Sequence, residues 1–225
     1  MPGAECTMRR QPVTDLPKSP DLRFEIPLWA RGVIAVAGLD EAGRGAWAGP
    51  VSAAAVILPP GDELLERLAG VRDSKQMTAR QRARMAEVIR VTAAAWGVGF
   101  AEAGEVDEMG IVPATRLAMK RALECCSCEV QHLLVDALRL PKVTIPQEAL
   151  IKGDRRSMSI AAASVLAKTA RDALMQEWDA AFPGYGFSHN MGYGTAFHRN
   201  ALEALGPCTL HRRSFAPVRE RLALL

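Results

Sequence analysis

An acidic turn between two apolar runs, within residues 38–50, constrains this chain more than any other stretch. The apolar run 33–39 ends in two adjacent carboxylates, Asp40 and Glu41, and a second apolar run covers residues 51–58. Three glycines lie between the acids and the second run, and glycine lets a backbone turn sharply or approach a ligand. This order predicts strand, turn and strand, with acids at the end of the first strand. Carboxylates suit a divalent cation, although an ordinary charged hairpin has the same composition.

The rest of the chain predicts an α/β fold with a mixed sheet. Strands are predicted at residues 33–40, 51–58, 92–103 and 130–135, and helices at 79–90 (capped by Thr78), 113–124 and 157–180. Strands dominate the first half and alternate with helices afterwards, an order typical of α/β proteins. Residues 1–30 carry five prolines and no sustained period, which predicts a loosely ordered arm before one domain at 31–225.

Composition narrows the class of protein. The 225 residues are 49% apolar and 24% charged, as in a globular rather than a disordered chain. No apolar run reaches the roughly 18 residues that span a bilayer, and no signal-peptide core is present. The five cysteines show no paired framework and no complete zinc-ligand spacing. We therefore expect a cytoplasmic protein without membrane contact, while the net charge of +3 leaves nucleic-acid binding open.

Two further acids resemble Asp40 in placement. Asp136 ends a predicted strand, and Asp154 follows a glycine just before a predicted helix. Ligands of open α/β sheets gather at strand ends, so these acids can converge with Asp40 and Glu41. Four crowded carboxylates repel one another unless cations neutralise them, and two Mg²⁺ or Mn²⁺ ions about 4 Å apart would also serve phosphoryl transfer. Spacing alone leaves open a turn residue at 136 and a helix cap at 154.

The adjacent pair presents a geometric difficulty. Successive side chains of a regular strand point to opposite faces, so Asp40 and Glu41 cannot both face one metal site from an uninterrupted strand. We therefore expect a strand end or a bend at this pair.

Several motifs occur in a distinctive order. They are Gly38-Leu39-Asp40-Glu41-Ala42-Gly43-Arg44-Gly45, Ala48-Gly49-Pro50-Val51, Asp73-Ser74-Lys75-Gln76, Leu134-Val135-Asp136, Lys152-Gly153-Asp154, the run 160–168 followed by Arg171-Asp172, Gly192-Tyr193-Gly194-Thr195, and His211-Arg212-Arg213-Ser214-Phe215. In this set, over about residues 33–220, the chain resembles bacterial ribonuclease HII of the type 2 ribonuclease H family. The resemblance implies a ribonuclease H-like fold, a central mixed sheet flanked by helices with a small helical C-terminal part.

The resemblance also implies an activity. Such an enzyme is an endoribonuclease that cleaves the RNA strand of RNA–DNA hybrids and cleaves 5′ of single ribonucleotides embedded in duplex DNA. It leaves 3′-hydroxyl and 5′-phosphate ends, and two Mg²⁺ or Mn²⁺ ions assist the hydrolysis. The implied partners are RNA–DNA hybrid and ribonucleotide-containing duplex DNA, and the implied state is a monomer.

The resemblance assigns roles to nine residues. The four metal-binding and catalytic acids match Asp40, Glu41, Asp136 and Asp154. The substrate-binding positions match Gly43, Arg44 and Gly45 at the ribose 2′-hydroxyl, Lys75 at a phosphate and Tyr193 at the following sugar. The 2′-hydroxyl is the group that distinguishes RNA from DNA at a given site.

Basic residues near the motifs are candidates for sequence-independent contacts to the nucleic-acid backbone. They are Lys152, Arg155, Arg156, Lys168, Arg199, Arg212 and Arg213. His211, Arg212 and Arg213 are expected either to contact phosphate or to cap local structure. Three positions depart from the family pattern: Ala137 replaces a usual glycine, Met191 a common lysine, and Trp47 a smaller residue. The change at Met191 predicts weaker phosphate binding or a sharper salt dependence.

Three alternatives remain to be weighed. A type 1 ribonuclease H or a transposase-like nuclease would lack the Gly-Arg-Gly element beside the first acids. A non-catalytic nucleic-acid-binding protein on the same fold would have lost acids, whereas all four are present. A nucleotide-binding protein would need a glycine-rich loop with a phosphate-binding lysine and serine, which the sequence lacks.

Overall fold

The computed structural model describes residues 16–61 and 63–224, which form a mixed sheet with helices on both faces. The five strands are β1 (Val36–Ala42), β2 (Val51–Ile57), β3 (Ala95–Ala101), β4 (His132–Asp136) and β5 (Gln147–Leu150). Their order in the sheet is β3-β2-β1-β4-β5. β1 pairs antiparallel with β2 and parallel with β4. The predicted α/β class with a mixed sheet is confirmed.

The helices of the described residues frame this sheet. They are α1 (Glu25–Trp29), α2 (Leu64–Arg67), α3 (Ala79–Thr92), α4 (Ala103–Met109), α5 (Ile111–Glu124), α6 (Met158–Ala181), α7 (Phe187–Asn190), α8 (Ala196–Leu205) and α9 (Ala216–Leu222). Short 3-10 turns cover Ser74–Gln76 and Gly153–Arg155. Within the described ranges, no helix combines the length and the apolar character needed to cross a membrane.

Small residues bring α6 and α5 close to the two faces of the sheet. A Cβ placed on Gly38 of β1 would lie 2.2 Å from the carbonyl carbon of Ser159 in α6. On the other face, a Cβ on Gly99 of β3 would lie 2.3 Å from the carbonyl oxygen of Ala118 in α5. Close approach excludes water and increases dispersion contacts between the layers. The sheet is thus a buried platform whose strand ends carry the acids.

The predicted elements are found with shifted ends. Thr78 caps α3 in a reciprocal capping box with Gln81, and Ser157 caps α6 by accepting from the N–H of Ile160. The first strand runs from Val36 to Ala42 rather than over 33–40. Strand β5 was not predicted, because its sequence is short and contains adjacent polar residues at the sheet edge.

The described part of the predicted N-terminal arm packs against α6. The Glu25 side chain in α1 is fully buried, and its Oε1 accepts from the hydroxyls of Ser157 and Ser159, each at 2.6 Å. Glu25 therefore ties α1 to the start of α6, and the loosely ordered arm over residues 1–30 stays a prediction. Residues 1–15 lie outside the described part of the chain.

Candidate active site

Three of the four predicted acids meet where two neighbouring parallel strands end. β1 and β4 pair as far as Leu39 with Val135, so Asp40 and Asp136 follow that last pair side by side. Asp154 lies in the 3-10 turn that precedes α6. The N–H of Gly153 donates to Asp136 Oδ1 at 2.6 Å, which ties that turn to the end of β4.

Glu41 reaches this region from within a regular strand. β1 pairs with β2 through Ala42, so the strand ends one residue after Glu41 and alternation places Glu41 on the face opposite Asp40. Its Oε1 accepts from Arg44 Nη1 at 3.0 Å. Its Oε2 is buried and has no partner among the described residues, so part of this carboxylate remains available to a ligand.

The pKa values show that the acids share one electrostatic environment. Burial and then the negative charges of Glu41 and Asp136 raise the pKa of Asp40 well above its ordinary value. Burial, with Glu41 adding to it, raises the pKa of Asp136 to about 6 despite the hydrogen bond from Gly153. Burial and then the charge of Asp136 raise the pKa of Asp154 to about 6. The fold therefore concentrates negative charge that it neutralises only in part.

This donor set fits a divalent cation. In the part of the chain that the structure describes, no three His, Cys, Asp or Glu side chains already form a complete ligand set. However, hard cations prefer carboxylate oxygens, and a cation would relieve both the mutual repulsion of the acids and the unpartnered Glu41 Oε2. The chemistry of these residues thus fits a divalent cation.

Two serines that sequence reasoning left without a role support the first acid. Ser164 of α6 acts on the Asp40 carboxyl to lower its pKa, against the larger effects that raise it, and the Ser164 hydroxyl lies 2.9 Å from that of Ser74. Ser74 belongs to the motif Asp73-Ser74-Lys75-Gln76 and Ser164 to the run 160–168. Membership of these motifs was the one feature of the sequence that could have indicated a role at the site. Beside them, partial burial acts to lower the pKa of Lys75, but the negative charges of Asp40 and its neighbours outweigh burial and raise it. Lys75 therefore lies next to the acids, as the motif predicted.

The Gly43–Gly45 turn presents open backbone next to Glu41. Gly43 has a φ of 86°, and a Cβ on it would lie 2.0 Å from Arg171 Nε, so glycine is required there. Gly45 is exposed, and a Cβ on it would meet no atom within 4 Å. A ligand can therefore approach the backbone of this turn closely at Gly45.

Tyr193 lies in a loop joined to the same turn. The carbonyl of Gly192 accepts from the N–H groups of Trp47 at 2.8 Å and Ala48 at 3.2 Å. Lys168 Nζ and Arg171 Cζ lie 5.6 and 5.5 Å from the centre of the Tyr193 ring. These contacts place the ring beside the turn.

Trp47 has a packing role that its departure from the family pattern did not indicate. A Cβ on Gly194 would lie 2.0 Å from Trp47 Cζ2, so the indole lies directly against the loop of Tyr193. The larger residue thus fills the space between the turn and that loop.

The predicted basic contacts divide into two groups. Lys152, Arg199 and Arg213 are exposed and remain candidates for phosphate contacts, as do the half-buried Arg155, Arg156 and Lys168. Arg212 is fully buried, so the prediction that it contacts the nucleic-acid backbone is wrong. Its guanidinium instead donates to carbonyls of the turn.

Backbone strain lies next to three predicted site residues. Among the described residues, positive φ at a non-glycine position occurs at Ala137 (53°), Lys152 (55°) and Met191 (50°). The first follows Asp136, and the others each precede a glycine of a site motif. A non-glycine residue in this conformation costs about 1 kcal/mol, and such strain is concentrated at functional sites. The conformation also explains why glycine is usual at position 137.

Two histidines form a buried pair that sequence reasoning did not anticipate. His198 Nδ1 lies 3.0 Å from the carbonyl oxygen of Tyr193, and His198 Nε2 lies 3.1 Å from His211 Nε2. The N–H of Cys208 donates to His211 Nδ1 at 3.0 Å. Because a carbonyl only accepts, His198 carries its proton on Nδ1 and accepts from His211 through Nε2. Both rings are therefore neutral, and the pair holds the backbone of Tyr193.

The chain is similar to known ribonucleases over most of its length. Residues 37–218 match the Ribonuclease HII family model. A ribonuclease HII of Chloroflexus aurantiacus is 53% identical over 207 residues, covering 92% of this chain and 98% of that protein. The solved ribonuclease H2 of Pyrococcus horikoshii OT3 superposes with a TM-score of 0.68 at 24% identity, covering 84% of this chain and 97% of that one. The Bst-RNase HIII solved in complex with Mn²⁺ superposes with a TM-score of 0.61 at 21% identity, covering 85% of this chain and 70% of that one.

The matched range includes every motif quoted from the sequence, from Gly38 to Phe215. The acids, the open turn and the fold agree with that match. The chain therefore belongs to the ribonuclease HII family, metal-dependent ribonucleases H that act on RNA–DNA hybrids.

Proposed function

We propose that this enzyme cuts on the 5′ side of single ribonucleotides embedded in duplex DNA, as well as within the RNA of hybrids, leaving 3′-hydroxyl and 5′-phosphate ends. One observation carries the proposal: the acids lie beside an open backbone turn. Asp40 and Glu41 precede that turn directly in the chain. A group that recognises one ribose thus stands next to the groups that cut beside it.

Asp40, Glu41, Asp136 and Asp154 would hold two divalent cations, Mg²⁺ or Mn²⁺. Bound there, these ions would supply activation of water and stabilisation of the leaving 3′-oxygen. The raised pKa values of Asp40, Asp136 and Asp154 support this role, since acids that repel one another gain most from a cation. The Mn²⁺ complex of the structurally similar RNase HIII is consistent with it.

The chain's own residues would bind and orient the substrate. Gly43, Arg44 and Gly45 would contact the ribose 2′-hydroxyl through their backbone groups, because no side chain covers Gly45. Tyr193 would place its ring against the following sugar, so that the enzyme recognises a ribose-to-deoxyribose step. The Lys75 ammonium would bind a phosphate near the acids. Cytoplasmic location and a monomeric state remain predictions from the sequence.

Incision of a DNA duplex with one ribonucleotide tests the proposal. With Mg²⁺ or Mn²⁺ we expect one cut, 5′ of the ribonucleotide, and none in chelator. Incision of a continuous hybrid without incision of this duplex would refute the finer specificity. If neither substrate is cut with either metal, the chain is a nucleic-acid-binding protein on a nuclease fold.

Asp136→Asn tests the metal-binding acids. The amide removes one anionic ligand but keeps the shape of the side chain. We expect incision to fall by about a thousandfold, the scale of losing one main electrostatic contact to the transition state, while hybrid binding remains measurable. Glu108→Gln, on the exposed side of α4, serves as the control and should retain activity. Full activity of Asp136→Asn would remove Asp136 from the site.

A further inference from the structure

Arg212 is a fully buried arginine. Its guanidinium donates hydrogen bonds to backbone carbonyls of the turn and pairs with no carboxylate of the described residues. Its Nη1 donates to the carbonyl of Arg44 at 2.9 Å, and its Nε donates to the carbonyl of Gly49 at 3.0 Å. Its own backbone N–H donates to the carbonyl of Trp47 at 2.7 Å. Among the described residues no carboxylate lies within ion-pair distance of it. One residue thus holds three carbonyl groups of the turn.

The bond to Arg44 determines where the next N–H points. The peptide between Arg44 and Gly45 is trans, and in a planar trans peptide the C=O and N–H point in opposite directions. Because Arg212 is buried, the Arg44 carbonyl that it binds points inward and the Gly45 N–H points outward. That N–H has no acceptor within the described residues, and the space above Gly45 is open.

Arg171 braces the other side of the same turn. It donates through Nε to Pro50 and through Nη2 to Ala48, at 2.8 and 2.9 Å, and through Nη1 to the carbonyl of Met191 at 2.7 Å. Burial and then the positive charge of Arg171 lower the pKa of Arg212 to about 9. Two cations held side by side without a carboxylate are costly, so their carbonyl contacts must be favourable enough to retain them.

We propose that Arg212 is a positioning residue for recognition of the ribose: it orients the Arg44–Gly45 peptide so that the Gly45 N–H donates to the 2′-hydroxyl oxygen. This inference rests on the proposed function and names the residue that prepares its specificity. Asp107 supports it from outside. Its Oδ2 and Oδ1 accept from the N–H groups of Arg213 and Ser214, each at 2.8 Å, which fixes the segment that carries Arg212.

Arg212→Lys is the direct test. An ammonium keeps the charge but cannot reproduce a rigid fork that bonds two carbonyls. Binding is measured in chelator, where a metal-dependent nuclease does not cut, on matched duplexes that differ by one 2′-hydroxyl. We expect the preference for the ribonucleotide-containing duplex to fall about tenfold, the scale of one hydrogen bond. With metal, kcat/KM on that duplex should fall with it.

A matched control is Arg121→Lys. Arg121 donates to the carbonyl of Phe100 at 2.7 Å but belongs to α5, on the face of the sheet opposite α6. We expect both the preference and kcat/KM to remain at the wild-type level. A purely structural role of Arg212 would lower binding of both duplexes equally, and an unchanged preference in folded Arg212→Lys would overturn the proposal.

Asp107→Asn keeps the test valid if Arg212→Lys does not fold. The half-buried Asp107 accepts three hydrogen bonds from Arg213 and Ser214, and an amide offers one oxygen for them. A smaller loss of preference is expected, and no loss would refute the inference. If the wild type itself shows no preference for the ribonucleotide, it is the proposed function that fails.

Discussion

Two groups of buried polar residues adjoin the turn at residues 43–49. They differ in how far the protein itself supplies partners for their polar and charged atoms. The acidic cluster consists of Asp40, Glu41, Asp136 and Asp154, and the bracing cluster of Arg171, His198, His211 and Arg212. In the acidic cluster the three aspartates have raised pKa values, and Glu41 has one buried oxygen without a partner among the described residues. In the bracing cluster almost every nitrogen has a partner; Arg212 Nη2 is the exception among the described residues.

The difference shows how stability and function are divided at this site. The bracing cluster satisfies its donors with backbone carbonyls, so it stabilises the turn without any ligand. The acidic cluster is only partly compensated, by Arg44 at Glu41 and by Lys75 beside Asp136 and Asp154, so it reduces stability until a ligand supplies further positive charge. The rigid part of the site is thus self-sufficient, and the reactive part depends on metal.

Replacing Arg171 should have the largest effect on folding. Arg171→Met keeps the apolar stem but leaves the carbonyls of Ala48, Pro50 and Met191 without their donor. We expect the free energy of unfolding to fall by about 3 kcal/mol, because each buried polar group left unpaired costs about 1 kcal/mol or more. Urea denaturation measures this. Arg121→Met, at a partly exposed ion pair, should cost less than about 1 kcal/mol. Equal losses would show that the bracing cluster is not special.

Replacing Asp154 should raise the free energy of unfolding instead of lowering it. Its folded pKa, raised to about 6 from 3.8, means that the ionised form costs stability above pH 6 and that the cost disappears as pH falls towards 3.8. In chelator at pH 8 we therefore expect Asp154→Asn to stabilise the protein by about 2 kcal/mol, with little difference at pH 4. Thermal unfolding at both pH values measures this. Destabilisation at pH 8 would mean that Asp154 is compensated within the protein.

The histidine pair should give the smallest effect, with a pH dependence opposite to that of Asp154. Burial and then the proximity of His198 lower the pKa of His211 to about 4. The unfolded chain takes up a proton below about pH 6.5 while the folded chain does not, so stability falls as pH falls from 6.5 to 4. His211→Gln should reduce the loss between pH 7 and pH 5 by about 1 kcal/mol. Urea midpoints at the two pH values test it; parallel losses would contradict a neutral pair.

The motifs predicted the acidic cluster and the open turn, because residue type and strand position were sufficient to indicate their chemistry. Arg212 illustrates the limit. Arginine is usually exposed, so its motif predicts a phosphate contact or a local structural cap. Its carbonyl partners, Arg44 and Gly49, lie more than 160 residues away in the chain. The residues next to Arg212 in the sequence therefore could not predict that its side chain is buried.

By itself, the sequence determined the alternation of strands and helices, the cap at Thr78, and which side chains can bind a cation. These follow from local periodicity and side-chain chemistry. Only the tertiary structure decided that β4 lies beside β1, that Glu41 stays in a regular strand, and that Arg171 and Arg212 meet beneath the turn. Those outcomes depend on contacts between distant segments, where close packing and the need to pair every buried donor select one arrangement.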